Sequence, residues 1–117
     1  MVIYNKTKEI LIADQVKVAN SFLTRLVGLL NKSSLSSSEA LIIRPCKAIH
    51  TWLMKFSIDV LFLDENNKVI HIMENMVPGR KSPFIKKSHQ VIELQAGKIA
   101  LTGTEISDEI IIKEEQF

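Results

Sequence analysis

Apolar positions along this chain fall in short runs of β character, and one stretch alone follows a clear helical period. Val2-Ile3-Tyr4 and Glu9-Ile10-Leu11-Ile12-Ala13 flank a polar Asn5-Lys6-Thr7-Lys8, the pattern of a β-hairpin. Gln15-Val16-Lys17-Val18-Ala19 alternates and predicts a third strand or a continuation of the second. Phe22, Leu23, Leu26, Val27, Leu29 and Leu30 then form a broad apolar stripe, which predicts a helix over about 21–30. Asn20 or Ser21 suits its N-cap and Asn31 its end, because short polar side chains accept from free backbone N–H groups and tolerate left-handed φ.

The serine-rich stretch 31–39 cannot bury enough to order itself and reads as a surface loop. Ala40-Leu41-Ile42-Ile43 is a strand that must end near Pro45, which has no N–H for a ladder. Ile49 to Met54 and Ile58 to Asp64 read as two further strands. Asp64-Glu65-Asn66-Asn67-Lys68 is a turn, so Val60 to Leu63 should pair antiparallel with Val69 to Ile72. Val77 to Lys87, with Pro78-Gly79 and Pro83, is a long loop. His89 to Leu94 is a strand, Ala96 to Gly103 a single helical turn between two glycines, and Ile110 to Lys113 a last strand. The expected fold is mostly β, a β-sandwich or small barrel of about eight short strands, with one short α-helix near 21–30.

At 117 residues the chain is read as one domain, 1–117, large enough for a core without staples. Fifteen basic and thirteen acidic residues give a net charge of +2, too balanced to predict nucleic-acid binding. Arg80-Lys81 and Lys86-Lys87 are local basic clusters that read as solvated loop. One cysteine cannot form an internal disulfide, no secretory pattern opens the chain, and no apolar run approaches the ~18 residues of a membrane span. A cytoplasmic protein is expected, with no membrane span.

Rare side chains crowd into Arg44 to Asp64, which holds the only cysteine, the only tryptophan and the first histidine. If 49–54 is extended, His50, Trp52 and Met54 share one face. A hairpin about Lys55-Phe56-Ser57 would then bring His50 close to Asp59. Such a couple has three readings: a buried pair that sets register, a pocket that orients a ligand, or an acid–base pair. Arg25 is either a solvated helix residue or a guanidinium reaching a carboxylate such as Asp59. Cys46 and His50, four apart on a non-helical stretch, do not make a metal motif. Cys46 reads as a rim thiol before a nucleophile, and Trp52 and Met54 read as core before a ligand platform.

Arg25-Leu26-Val27-Gly28-Leu29-Leu30, the block Ile49 to Asp64 and Val91-Ile92-Glu93-Leu94-Gln95-Ala96-Gly97 together resemble the DUF192 (UPF0127) family, prokaryotic proteins of unknown function. The resemblance runs from about Val18 to Ile112 and implies a compact, mostly β domain with a small helical element. It implies no established activity, cofactor or partner. In one place the chain departs from the pattern: Ser107-Asp108 stands where the family commonly has Gly-Asp before the last strand.

The expected function is a ligand-binding or interaction module with a pocket of Arg25, Cys46, His50, Trp52, Met54 and Asp59, roofed by the 77–87 loop. A small molecule or a protein is the expected partner, with no cofactor and no nucleic acid. The first alternative is a small enzyme with a His50/Asp59 acid–base pair and Cys46 as nucleophile. The second is a structural subunit that pairs through a sheet edge.

Overall fold

The computed structural model describes residues 1–20 and 32–114. The helix expected over 21–30, with Arg25, lies outside the described residues. The described elements are β1 (Val2–Asn5), β2 (Ile10–Ala13), β3 (Gln15–Ala19), β4 (Glu39–Ile43), β5 (Ile58–Leu63), β6 (Val69–Met76), β7 (Gln90–Gln95), a short helix α1 (Lys98–Thr102) and β8 (Ile110–Lys113). They form a three-stranded sheet in the order β2-β1-β8 and a five-stranded sheet in the order β3-β4-β7-β5-β6. The fold is mostly β, as expected, and among the described residues it has two sheets and no closed barrel.

Strands β4, β5 and β7 are almost wholly buried, which explains their nearly unbroken apolar runs. Alternation sorts their side chains onto two faces. Ile42, Leu61, Leu63, Ile92 and Leu94 meet Ile3, Ile12 and Ile110 of the small sheet in one core. Leu41, Ile43, Val60, Phe62 and Val91 meet Ile49 and Met54 in a second core on the opposite face. The 44–57 segment therefore serves as a lid over the larger sheet.

The expected β5–β6 hairpin forms, with Leu61 opposite Ile72 and Phe62 opposite His71. Its turn is held by Asp64 Oδ1, which accepts from the N–H groups of Asn66 (2.9 Å) and Lys68 (3.0 Å). Asn67 takes φ 59, a conformation that asparagine tolerates. The helical turn α1 also forms, between Gly97 at φ 93 and Gly103 at φ 67.

The strand expected over 49–54 is absent. One edge of β5 is taken by β7 and the other by β6, so no ladder remains for a 49–54 hairpin partner. Residues 51–54 instead close a turn, with the Met54 N–H donating to Thr51 O at 3.2 Å. Leu53 sits in it at φ 67.

A buried polar clamp joins the two ends of the described chain. Asn5 Nδ2 donates to Thr104 Oγ1 (3.1 Å) and Asp108 Oδ2 (2.9 Å), and Lys8 Nζ reaches Asp108 Oδ1 at 3.1 Å. Burial alone would raise the Asp108 carboxyl, but hydrogen bonds from Asn5, the Glu105 N–H and Lys8 hold it below its usual range. Glu39, bonded by Lys32 and the Ser36 N–H, is lowered further, to about 2.

Two predictions follow from these loops. A carboxyl with a folded-state pKa below its unfolded value stabilises the fold only while ionised. The Glu39 contribution is thus complete above pH 4.5 and lost as pH falls towards about 2. Urea unfolding from pH 6 down to pH 2 should show this acid-side decline, and Glu39→Gln should flatten it. Ser107 stands at φ 77, where glycine is the comfortable residue. Ser107→Gly should therefore stabilise the protein by about 0.5–1 kcal/mol in the same assay.

Candidate functional site

Residues 44–57 and 77–89 are laced into an irregular ribbon outside the second core. The Ile85 N–H donates to Lys47 O (2.8 Å), the Ser82 N–H to Ile49 O (2.9 Å) and the Thr51 N–H to Arg80 O (2.8 Å). Thr51 is fully buried at the centre. Its Oγ1 donates to Val77 O at 2.6 Å and accepts from the Arg80 N–H at 3.0 Å. Lys47 Nζ donates to the carbonyls of Lys86 (2.6 Å) and Ser88 (3.0 Å). The buried Thr51 and Ile49 have their backbone polar groups satisfied in this way, so the ribbon is held without regular sheet.

A mostly apolar hollow of ≈ 430 Å³ opens beside this ribbon, lined by Ile43, Pro45, Cys46, Ala48 and Ile49 together with His50, Trp52, Lys47, Lys81 and Ser82. The rings of His50 and Trp52 stack with centroids 4.5 Å apart and planes 25° from parallel. His50 Nδ1 accepts from the Trp52 backbone N–H at 3.3 Å. The Cys46 thiol donates to Ala48 O at 3.2 Å.

Of the six residues expected in a pocket, the structure brings together Cys46, His50 and Trp52. Trp52 is 52% exposed, so its reading as core is corrected: the Thr51–Met54 turn lifts it outward. Met54 is buried in the second core instead of lining the hollow. Asp59 is on the other face of the large sheet, opposite Leu94 of β7. Its Oδ1 accepts from the Asn75 N–H (2.8 Å) and its Oδ2 from the Ile99 N–H (2.9 Å). It closes the first turn of α1 and fixes β6, and it does not meet His50. Sequence reasoning missed Lys81 and Ser82 because the 77–87 loop reads as solvated at Arg80-Lys81, and it assigns Lys47 no role within the 44–64 segment. Among the described residues, no cluster of three His, Cys, Asp or Glu is arranged to hold a metal ion.

The family model for DUF192, described as an uncharacterized group of conserved proteins (Uncharacterized ACR), matches residues 3–112. The chain belongs to the DUF192 family. A UPF0127 protein of Thermococcus sibiricus is 32% identical over 110 residues, covering 91% of this chain and 71% of that one. A solved structure of a Novosphingobium aromaticivorans protein of unknown function shares the fold with TM-score 0.81 at 19% identity, over 95% of this chain and 83% of that one. A Sinorhizobium meliloti protein, provisionally described as a transcription regulator, matches with TM-score 0.75 at 19% identity, over 94% and 89%. At that identity the two structures speak for the DUF192 fold alone.

The opposed placements of Asp59 and His50 give a paired test. Asp59→Ala leaves two N–H groups of Asn75 and Ile99 without their acceptor and should cost about 2–4 kcal/mol. His50→Ala, at a half-buried position outside the core, should cost less than about 1 kcal/mol. Urea unfolding of the two variants measures both.

Proposed function

We propose that this DUF192 chain, acting as one domain over 1–117, is a cytoplasmic binding module whose ligand occupies the hollow beside His50 and Trp52. The observation that carries the reading is the half-exposed His50–Trp52 stack standing beside an apolar hollow with lysines at its rim. Small-ligand sites combine apolar walls with a few polar groups in this way, and the hollow of ≈ 430 Å³ is within their usual size. Lys81, exposed beside the hollow, favours a ligand with a negative group, such as a phosphate or carboxylate. The reading as an enzyme loses its orienting carboxylate, because both Asp59 oxygens are committed to backbone N–H groups on the opposite face. A partner taken up along a sheet edge has no comparable support. The single free thiol accords with the cytoplasmic assignment.

Trp52 is the only tryptophan, so intrinsic emission reports directly on this site. Titration with a panel of nucleotides, sugar phosphates and aromatic carboxylates should give a saturable change for at least one compound. His50→Ala should weaken that binding by about tenfold while leaving the melting temperature within about 3 °C. A panel with no saturable response, or a His50→Ala variant that unfolds, rejects the site.

A further inference from the structure

We propose that the ribbon of residues 44–57 and 77–89 docks on an anionic lipid bilayer, with the Trp52-Leu53 turn as its inserted tip. The inference rests on the reading of this face as the contact surface and names what it contacts. The negative group that fits the hollow is then a lipid headgroup presented by a membrane.

Charge is the first support. The two ribbon segments carry seven of the fifteen Lys and Arg residues and no Asp or Glu, which leaves eight basic against thirteen acidic residues elsewhere. The positive charge is therefore concentrated in these two segments, and an anionic surface would attract them. The charge is not uniform along the ribbon. Lys47, Lys86 and Lys87 line a polar hollow that also holds Asp64 and Glu65. Arg80 and Lys81, both exposed, lie beside the Thr51–Met54 turn through the Thr51–Arg80 rung and the His50–Lys81 bridge.

Exposed apolar side chains are the second support. Trp52 (52% exposed), Leu53 (80%), Val77 (38%) and Phe84 (69%) all stand on these two segments. Cationic side chains interspersed with Trp, Leu and Phe match a headgroup region above and acyl chains below. Nucleic acid fits less well. Bases stack best on a row of open aromatic faces, and here one face of the Trp52 indole is covered by His50, Leu53 and Val77 offer no flat face, and Phe84 alone is left as a second exposed ring.

The third support is backbone geometry. Leu53 holds φ 67 at the turn where glycine would be unstrained, and it does so with its side chain in solvent. A large apolar residue at a strained, exposed site contributes nothing evident to the folded core. Strain of this kind is commonly retained where a side chain is needed for contact.

The test is co-sedimentation of the full chain with vesicles, read together with Trp52 emission. Vesicles of phosphatidylglycerol mixed with phosphatidylcholine should pellet the protein and shift Trp52 emission to the blue, and pure phosphatidylcholine should do neither. Binding should weaken with salt, and Arg80→Glu with Lys81→Glu should lower partition by at least about tenfold. Leu53→Gly should raise the melting temperature and weaken vesicle binding together, two opposite signs that a purely structural role would not produce. No binding to the anionic vesicles, equal binding to both compositions, or full binding by Leu53→Gly overturns the proposal. A stronger Trp52 response to single-stranded DNA than to anionic vesicles also overturns it, in favour of a nucleic-acid surface. A saturable response to the soluble panel with no vesicle binding rejects the membrane and leaves the hollow as a ligand site. Vesicle binding with no soluble response rejects the free ligand instead.

Discussion

The constraint on which the rest depends is the full commitment of β5. Its two edges are occupied by β6 and β7, and all six of its residues are buried. A strand in this position must satisfy two cores at once, so each residue is assigned to a face by its place in the alternation. Asp59 falls with Leu61 and Leu63 on the side of the small sheet, and Val60 and Phe62 fall on the other. That parity sends a carboxylate to the start of α1 and leaves the ribbon with histidine, tryptophan and lysines. The division of the molecule into a structural side and a contact side follows from it.

The ribbon has a different internal logic. Thr51 uses its hydroxyl and both backbone groups to hold residues 77–80. Ser82 accepts from the Ile49 N–H through its own hydroxyl. Short polar side chains compete well with ladder bonds for backbone partners, which is why this region is ordered without being strand. Apolar anchors at Ile49 and Met54 then fasten it to the sheet. The result is a surface whose backbone is pinned from below while Trp52 and Leu53 project above.

Local chemistry made much of this legible. The Asp64–Lys68 turn, the β5–β6 pairing, the proline-limited end of β4 and the helical turn between Gly97 and Gly103 all follow from residues a few positions apart. The 49–54 stretch did not, because its buried residues are anchored singly and not as one pleated face. No pattern within it reveals that both edges of β5 are already used, since β7 arrives from about thirty residues later. His50 and Trp52, both conspicuous in the sequence, do come together as a ring stack, but the Asp59 expected beside His50 depends on a hairpin that the pairing of β5 precludes. The lysines of the site were visible as charge and invisible as position.

The small sheet has a temporal consequence. Its middle strand, β1, pairs on one side with nearby β2 and on the other with β8, so that Val2 meets Lys113. Ile110 and Ile112 of β8 pack into the same core as Ile3. On a ribosome that core must wait, open on one side, until β8 has emerged, whereas the β5–β6 hairpin can form as soon as β6 is made. β1 can pair early with β2, but its other edge stays open until β8 is made, a direct consequence of setting Val2 against Lys113.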